Sequence, residues 1–552
     1  MLDLWYKNAI IYCLDVETFM DANGDGVGDF RGLTDRLDHL EALGVTTIWL
    51  NPFYPSPFRD NGYDIADFYG VDPRFGSLGN FVEFTRAAHD RGMRVLVDLV
   101  VNHTSIDHPW FQSARASKDS PYRDWYVWSK ERPADITKGI IFPGVQEAVW
   151  TFDEAADAWY MHRFYEFQPD LNIANPAVRE EIQRIMGYWL QLGVSGFRVD
   201  AVPFLVEYKG LDEEPDRDPM LLLSEMHDFL SWRRAGAIMI AEANIEPEKA
   251  PQYFGGRVEA PGATVADERM HMVFDFPLNQ RLWLAFVRGS AEPIREALRS
   301  RPRPMPVQGQ WAVFLRNHDE LSLDKLSEAE REECFAALAP EEGMRIYERG
   351  VRRRLAPMLG GDPARLALAH ALLFALPGTP VMWYGDEIGM GERLDLPERH
   401  PVRTPMQWAD EPNGGFSRSP GPLVRPLVEE GPLGYREANV VAQRDEAGSL
   451  LHRVQEMIRI RRACPEIGWG EWTMPEAPDG VLVLRAEWRG GAVVTLHNLD
   501  GEDAEVTLEM EGAGALTLLL SSEARGGPAP EGGRVRLEPH GYRWFRLGGE
   551  RR

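Results

Sequence analysis

The strongest constraint on the fold is an alternation of short apolar runs with amphipathic segments, which recurs eight times over most of the 552 residues. Several of the runs are almost wholly apolar, as strands buried on both faces of a parallel sheet are. The sequence predicts eight such strands, which cover residues 10–16, 45–52, 94–103, 196–202, 237–244, 272–276, 312–319 and 380–384.

The segments between the strands carry the signals of amphipathic helices. Asn175 and Pro176 are typical of an N-cap and a first helical position, and an apolar stripe follows until Gly193. Residues 33–43, followed by Gly44, repeat this pattern. Eight strand–helix units favour an α/β fold of the (β/α)8 TIM-barrel type, with a doubly wound parallel sheet as the alternative.

Two stretches depart from the alternation. Residues 104–173 are rich in aromatic side chains and follow the third strand, where they are expected to form an inserted B subdomain. Beyond Trp472, short segments with a period of two and Gly-rich turns indicate a C-terminal antiparallel β-sandwich domain. The predicted domains are the barrel, residues 1–103 and 174–472, the B subdomain, residues 104–173, and the C-terminal domain, residues 473–552.

The charge of the chain restricts its partners. With 60 Lys and Arg against 86 Asp and Glu, the net charge is −26, which repels nucleic acid phosphates and anionic lipid. This balance suits an enzyme that acts on a neutral small molecule and has no nucleic acid or membrane partner. Homo-oligomerisation is left open.

The cellular compartment is predicted from targeting signals and cysteines. No uncharged apolar run reaches about 18 residues, and the N-terminal residues do not have the pattern of a secretory signal. The chain has an odd number of cysteines, and they lie far apart in the sequence, at Cys13, Cys334 and Cys464. We therefore expect a cytoplasmic protein without a zinc site.

Polar residues that end four predicted strands are the candidates for chemistry, because TIM-barrel sites lie at the carboxyl ends of the strands. Arg198 and Asp200 are two residues apart, so they point to the same side. Arg198 is expected to lower the pKa of Asp200 and keep it ionised, as a nucleophile must be. Apolar surroundings are expected to raise the pKa of Glu242 and make it a proton donor. Asp319 and His103 end the other two strands.

Each of these residues alone could form an ordinary ion pair or helix cap. Their joint placement at strand ends favours a site, and two carboxyl groups in contrasting surroundings are what cleavage of a glycosidic bond requires. The sequence around them resembles the signature regions of the α-amylase family, glycoside hydrolase family 13. The matching segments are 98–103 (DLVVNH), 196–201 (GFRVDA), Glu242 and 317–319 (NHD), and 168–172 (QPDLN) resembles a fifth region.

The resemblance implies a retaining, double-displacement mechanism. Asp200 is then the nucleophile, Glu242 the general acid and base, and Asp319 the group that stabilises the transition state. In retaining enzymes the first two carboxyl groups lie about 5–5.5 Å apart. By the same resemblance, Arg198, His103 and His318 contact the sugar in the first subsite.

A second set of segments is similar to an exo-acting branch of the family that takes disaccharides such as maltose and trehalose. These segments are 62–67 (GYDIAD) and 403–408 (RTPMQW). The resemblance implies that Tyr63 stacks on a glucose ring and that Asp64 and Arg403 grip its non-reducing end. Gln168 and Glu320 complete the predicted sugar contacts.

The expected activity is the intramolecular isomerisation of maltose to trehalose with some glucose released, and no organic cofactor. Three segments, 12–19, 243–247 and the stretch between Lys130 and Trp150, depart from the sequences expected in this branch. A plain α-glucosidase that hydrolyses such sugars is therefore an alternative. A barrel that only binds a sugar or a protein partner is a third reading, which the intact trio of acids disfavours.

Residues 21–29 (DANGDGVGD) indicate a metal site. Oxygen-bearing side chains alternate there with glycines, but the twelfth position is Gly32 rather than Glu, so the loop is not an EF-hand. A polar turn is the alternative. The family resemblance favours structural calcium bound by Asp21, Asn23, Asp25, Asp29 and the Val27 carbonyl. It also implies a second calcium bound by Asn102 and Asp170.

Two further segments are predicted near the site. Most aromatic residues of the B subdomain are expected to form its core, whereas residues 150–152 and 164–167 are candidates for lining a pocket. Residues 212–218 and 325–342 are charged and are expected to be solvated or covering loops.

Overall fold

The computed structural model describes residues 4–207, 209, 218–260, 263–509, 516–523 and 533–548. Of the acidic run 212–218, all but Asp218 lies outside these ranges. None of the helices within them is long and apolar enough to cross a membrane.

The centre of the molecule is a closed barrel of eight parallel strands, which confirms the predicted fold class. The strands follow one another around the barrel in chain order, and the last pairs with the first. In chain order they are β1 (Ile11–Leu14), β2 (Thr47–Leu50), β3 (Arg94–Leu99), β4 (Gly196–Val199), β5 (Ile238–Ala241), β6 (Met272–Phe274), β7 (Gln310–Phe314) and β8 (Thr379–Trp383).

Every predicted strand overlaps one of these strands, but several predictions extend too far at the carboxyl end. Strand β3 stops at Leu99, four residues before the predicted end at His103. Strand β7 stops at Phe314, before the polar residues that end at Asp319. The backbone leaves the sheet at these points and turns the polar side chains into the mouth of the barrel, as parallel barrels do.

Helices connect the strands. Helix Pro176–Gln191 begins as predicted, because the Asn175 side chain accepts a hydrogen bond from the backbone N–H of Ala177 at 3.0 Å. Helix Leu37–Leu43 ends at Gly44, whose positive φ of 92° suits glycine. The other helices of the barrel include Phe30–Asp35, Leu78–Asp90, Leu221–Arg233, Ala250–Phe254, Phe276–Arg288, Glu292–Ser300, Pro363–Ala375 and Leu450–Arg462.

The B subdomain lies between β3 and helix Pro176–Gln191. It contains helix Pro109–Ala116 and a three-stranded antiparallel sheet in the order Trp128–Ser129, Ala158–Met161, Trp150–Asp153. Its buried aromatic side chains include Phe111, Tyr126 and Tyr160, which contact one another with ring centroids 5.0–5.2 Å apart. The prediction that most of these aromatics form a core is therefore confirmed.

A second irregular region follows β7 and is called here the covering segment, residues 320–351. It contains helix Glu328–Leu338 and three short antiparallel strands, Leu321–Ser322, Arg345–Ile346 and Gly350–Val351. The predicted loop at residues 325–342 is thus largely helical.

The C-terminal domain is antiparallel, as predicted. A five-stranded sheet contains Glu471–Thr473, Val481–Trp488, Gly491–Asn498, Tyr542–Leu547 and Leu516–Ser521, and strands Ala504–Thr507 and Arg534–Leu537 pair beside it. One face of the larger sheet, with Leu482 and Trp544, belongs to the same core as the barrel. The other face forms a separate cluster that includes Val483 and Phe545.

Candidate active site

The carboxyl ends of the barrel strands enclose a cavity of about 370 Å³. This volume is near the lower end of the range for ligand pockets, about 300–1,000 Å³, so the cavity suits a small ligand. All three predicted catalytic acids, Asp200, Glu242 and Asp319, line it. The structure thus brings together carboxyl groups that are far apart in the sequence.

The other predicted sugar-binding residues divide into two groups. Three of them also line the cavity, namely Tyr63, His103 and Glu320. The remaining five are fully buried and do not belong to its described lining, namely Asp64, Gln168, Arg198, His318 and Arg403. Several residues of this second group contact lining residues, as Arg198 contacts Asp200, Gln168 contacts Asp60 and Arg403 contacts Asp319.

Arg198 of β4 holds three carboxyl groups at once. Its Nη1 atom lies 2.6 Å from Asp98 Oδ1 and 2.5 Å from Asp200 Oδ1. Its Nη2 atom lies 2.9 Å from Glu242 Oε2. One buried guanidinium therefore fixes the positions of Asp200 and Glu242 relative to each other.

The protonation of Asp200 differs from the prediction. Burial raises the pKa of Asp200 to about 6, although Arg198 acts to lower it. The predicted lowering is therefore wrong, because Arg198 is shared with Asp98 and Glu242 and does not offset the loss of solvent. A carboxyl group with this pKa is still mostly ionised at pH 7.

Glu242 has the raised pKa that the sequence predicts. Burial raises it to about 8, and the neighbouring carboxylates Asp200 and Asp319 add to the effect. Its Oε2 atom forms an ion pair with Arg198 and accepts a hydrogen bond from the backbone N–H of Ala201 at 3.0 Å.

The backbone is strained beside the nucleophile candidate. Ala201 has φ 49° and ψ 38°, a left-handed conformation that is unfavourable for alanine. This conformation directs the Ala201 N–H to Glu242, and strain of this kind is concentrated at functional sites.

Asp319 is held as an anion. Its Oδ1 atom lies 2.7 Å from Arg399 Nη1 and 3.0 Å from Arg403 Nη2, and its Oδ2 atom lies 2.9 Å from His318 Nε2. Burial acts to raise the pKa of Asp319, but these neighbours hold it well below its usual value. Burial also lowers the pKa of His318 to about 4, so the two guanidinium groups are the cations that keep Asp319 ionised near pH 7.

Tyr63 and His103 form a flat polar wall. The Tyr63 ring stacks on His318 with centroids 5.6 Å apart, and its hydroxyl lies 2.7 Å from His318 Nε2. His103 Nε2 lies 3.0 Å from the backbone oxygen of Tyr63. Burial lowers the pKa of His103, so this side chain is neutral at pH 7.

The sequence reasoning missed Asp60 and Arg399. Both line the cavity, and Asp60 Oδ1 lies 2.6 Å from Arg399 Nη2. Gln168 donates a hydrogen bond to the other Asp60 oxygen at 3.0 Å. Both residues lie close in the sequence to predicted site residues, since Asp60 precedes Tyr63 by three residues and Arg399 precedes Arg403 by four. This nearness is the signal that could have found them.

Asp64 and Arg403, which are predicted to grip the non-reducing end of a sugar, are both held by hydrogen bonds within the protein. Asp64 accepts hydrogen bonds from Ser56 Oγ at 3.0 Å and from backbone N–H groups, and it is completely buried. Arg403 donates to the backbone oxygen of His318 at 2.7 Å. The chain turns through positive φ at Asn61 and Gly62, which separates Asp64 from the cavity that Asp60 faces.

The B subdomain and the covering segment meet over the cavity. Ile141, Phe142 and Phe164 of the B subdomain line it, whereas residues 150–152 do not belong to its described lining. The Phe142 ring packs against Tyr347 of the covering segment with centroids 4.7 Å apart. Arg349 of the same segment donates to the backbone oxygen of Ile141 at 2.8 Å.

Residues 21–29 form a compact loop rich in oxygen ligands. Asp21 accepts hydrogen bonds from the backbone N–H groups of Gly24 and Gly26 at 2.7 and 2.8 Å. Asp29 caps helix Phe30–Asp35 through Gly32 at 2.7 Å. Hard oxygen donors of this kind fit calcium.

The carboxylate groups of this loop do not form a metal site by themselves. Within the described ranges, no three His, Cys, Asp or Glu side chains form a group that could hold a metal ion. A cation in the loop would therefore also need the amide oxygen of Asn23 and the Val27 carbonyl.

The second predicted calcium position is taken by a lysine. Lys209 Nζ donates to Asn102 Oδ1 and lies 2.8 Å from Asp170 Oδ2. All three side chains are buried. An ammonium group already neutralises Asp170, so the structure replaces the predicted second calcium with Lys209.

Comparisons with known proteins agree with this geometry. A family model described as "Alpha amylase, catalytic domain" matches residues 13–338 and 351–470, and one described as "Sucrose hydrolase-like, C-terminal domain" matches residues 490–546. A trehalose synthase of Thermus thermophilus is 43% identical over 99% of this chain, which spans only 56% of that protein.

Two further proteins are similar to this chain. The trehalose synthase/amylase TreS of Mycobacterium tuberculosis (strain ATCC 25618 / H37Rv) is 41% identical, over 99% of this chain and 93% of that protein. A crystal structure of the trehalulose synthase MutB, mutant A258V, superposes with a TM-score of 0.78 at 26% identity, over 98% of this chain and 100% of that chain.

Proposed function

The chain belongs to the α-amylase family, and from that premise we propose that it isomerises maltose to trehalose by a retaining mechanism in one enclosed site. The observation that carries the proposal is the small covered cavity in which one guanidinium holds Asp200 and Glu242. Similarity to two proteins named for trehalose synthesis, over 99% of this chain, supports the same activity.

In the first step, the Asp200 carboxylate attacks the anomeric carbon of the non-reducing glucose of maltose. The bond from that carbon to O4 of the second glucose breaks, and Glu242 gives its proton to O4. The products of this step are a glucosyl ester on Asp200 and a free glucose. Asp319, as an anion, stabilises the positive charge that develops on the sugar ring.

In the second step, the free glucose turns in the cavity and presents its anomeric hydroxyl. That oxygen attacks the anomeric carbon of the glucosyl ester, its proton returns to Glu242, and the bond from this carbon to the Asp200 oxygen breaks. Trehalose has the same atoms as maltose, so no other reactant is consumed. If water attacks instead, two molecules of glucose result.

Isomerisation requires that water is kept from the ester. The apolar side chains Ile141, Phe142 and Phe164, with Arg349 across the gap, close the cavity on the side of the B subdomain. Side chains that cover the cavity in this way would also slow the escape of the freed glucose.

The non-reducing glucose is assigned to the wall formed by Tyr63, His103, Asp60 and Arg399. Asp60 and Arg399 form an ion pair, which fixes the atoms that these two side chains can offer to sugar hydroxyls. This wall closes the site beyond the non-reducing glucose. The position of the wall supports a disaccharide, rather than a long glucan, as the substrate.

The activity is tested by incubating the purified protein with maltose and separating the sugars. We expect trehalose as the main product and a smaller amount of glucose. Glucose with no trehalose would instead identify an α-glucosidase. The Asp200→Ala variant is the control and should lose turnover by a factor on the order of 10⁴ or more; retained turnover would overturn the catalytic assignment.

We also propose that loop 21–29 binds a structural calcium ion and that the enzyme needs no organic cofactor. The ligands would be Asp21, Asn23, Asp25, Asp29 and the Val27 carbonyl, and their all-oxygen chemistry supports this choice. The ion would brace the start of helix Phe30–Asp35, which Asp29 caps. A cytoplasmic location is supported by the three cysteines, which are buried and free.

A further inference from the structure

On the side of the B subdomain, the cavity is covered by apolar side chains. They are Ile141, Phe142 and Phe164, and they are called here the apolar cover. All three belong to or pack against a small hydrophobic cluster that is separate from the core of the barrel. Ile141 and Phe142 lie in residues 130–149, a fully described stretch that forms neither helix nor strand. The regular hydrogen bonding of helices and sheets therefore does not hold these two residues over the cavity.

A buried glutamine holds the backbone of the apolar cover instead. The Oε1 atom of Gln146 accepts hydrogen bonds from the backbone N–H groups of Ile141 at 2.9 Å and Phe142 at 3.2 Å. Its Nε2 atom donates to three backbone oxygens, at 3.0, 3.1 and 2.7 Å, which belong to Ala148, Arg163 and Phe164. One side-chain amide therefore binds all three residues of the apolar cover.

The residues that Gln146 holds also contact the opposite parts of the cavity wall. Arg349 of the covering segment donates to the backbone oxygen of Ile141 at 2.8 Å. The Arg399 guanidinium lies over the Phe142 ring, 5.2 Å from its centroid. A shift of Ile141 or Phe142 would therefore open the cavity where the B subdomain meets these other parts of the wall.

Gln146 itself does not belong to the described lining of the cavity, so it can act on the reaction only through the residues that it holds. We propose that Gln146 is a positioning residue, which keeps the apolar cover closed and thereby sets how the glucosyl ester on Asp200 divides between two acceptors. Return of the freed glucose gives trehalose, whereas attack by water gives a second glucose and restores the carboxylate. The inference rests on the proposed function, since this division exists only if the freed glucose can return.

A role in the stability of the B subdomain alone is the competing explanation. It predicts that loss of the Gln146 amide lowers the melting temperature and the rate of maltose consumption, but leaves the division between the two acceptors unchanged. The division is measured by the ratio of trehalose to glucose. It is also measured by the incorporation of isotopically labelled glucose, added to the solution, into trehalose.

The experiment compares the variants Gln146→Met and Gln146→Ala with the unchanged protein. Methionine has a similar length but no amide. We expect the ratio of trehalose to glucose to fall about two- to tenfold, the range for loss of one intramolecular hydrogen bond. Incorporation of labelled glucose should rise, because an open cover lets glucose exchange with the solution, while kcat/KM for maltose consumption stays within about threefold.

Gln112→Met is the matched control for these variants. Gln112 lies in the same subdomain and is exposed, and it donates to one backbone oxygen, that of Ile106, at 2.7 Å. Its replacement should change neither the product ratio nor the incorporation. An unchanged ratio and unchanged incorporation in both Gln146 variants, or the same changes in Gln112→Met, would overturn the inference.

Hydrogen exchange followed by mass spectrometry tests the contact without any reaction. Peptides that contain residues 141 and 142 should exchange faster in both Gln146 variants, because their N–H groups lose an acceptor, while peptides of the barrel strands should not change. Unchanged exchange at residues 141 and 142, or faster exchange throughout the chain, would contradict the proposed role. If the unchanged protein makes only glucose from maltose, the proposed function fails, but the exchange rates still decide whether Gln146 holds the apolar cover.

Discussion

At the residue scale, three carboxyl groups that line one cavity have three different pKa values. Asp319 touches two guanidinium groups and is held ionised, whereas Asp200 and Glu242 share a single guanidinium with Asp98. Burial therefore raises the pKa of Asp200 to about 6 and that of Glu242 to about 8. The difference suits a nucleophile beside a proton donor.

These values predict a bell-shaped pH dependence of kcat/KM for maltose. Asp200 must be ionised, so activity should fall as the pH drops below about 6. Glu242 must be protonated, so activity should fall as the pH rises above about 8. The rates are measured between pH 4 and pH 10, and the limbs report the free enzyme.

4-Nitrophenyl α-D-glucoside, whose leaving group is nitrophenolate, provides the control for this profile. Nitrophenolate leaves without a proton, so the alkaline limb should be weaker for this substrate than for maltose. A maximum below pH 5, or identical alkaline limbs for both substrates, would contradict the assignment of Glu242 as the proton donor.

At the scale of elements, the barrel strands position the acids of the proposed reaction. The irregular regions that follow the strands supply most of the other residues that line the cavity. The B subdomain and the covering segment come from different parts of the chain and meet at Phe142 and Tyr347. Lys209 joins Asn102 of the barrel to Asp170 of the B subdomain with a buried charge. This buried lysine therefore links the B subdomain to the barrel.

Loop 21–29 carries the prediction at this scale. If it binds calcium, removal of the ion should lower the melting temperature by a few degrees, because a ligand that binds only the folded state stabilises it. Melting is followed by differential scanning fluorimetry with EDTA, and then with calcium or magnesium added back.

The Asp25→Asn variant is the matched control for the chelation test. It removes one ligand charge at an exposed position, so its melting temperature should respond much less to EDTA. A melting temperature of the unchanged protein that EDTA does not alter would count against calcium in the loop.

At the scale of the whole molecule, the C-terminal sheet and the barrel share one hydrophobic core. Trp544 of the sheet is completely buried and belongs to the same cluster as the barrel strands. Arg295 of the barrel donates to the backbone oxygen of Val481 in the sheet at 2.6 Å. The two parts are therefore expected to unfold together.

The Trp544→Ala variant tests this expectation. It should lower the free energy of unfolding by about 3–5 kcal/mol, as large-to-small changes in a core do, and shift one common transition in a calorimetric scan. Trp232→Ala is the control and should have little effect, because Trp232 is 90% exposed. Two separate transitions, of which only one shifts, would show that the domains unfold independently.

Much of the site could be read from short stretches of sequence. Asp200, Glu242 and Asp319 each follow an apolar run directly or within a few residues, and the rules for parallel barrels place such residues at one end of the sheet. Helix Pro176–Gln191 was equally clear, because its cap and its apolar stripe are adjacent in the chain. These features depend on local order and spacing.

Only the tertiary structure decided which neighbours each polar group has. The choice of Asp60 over Asp64, the raised pKa of Asp200, and Lys209 at Asp170 all depend on contacts between distant residues. Burial and pairing act through space at a few ångströms, whereas sequence patterns describe only what is near along the chain. The sequence by itself therefore determined the barrel and the three acids at its mouth, and folding determined the pKa values of these acids and the partners of the polar groups around them.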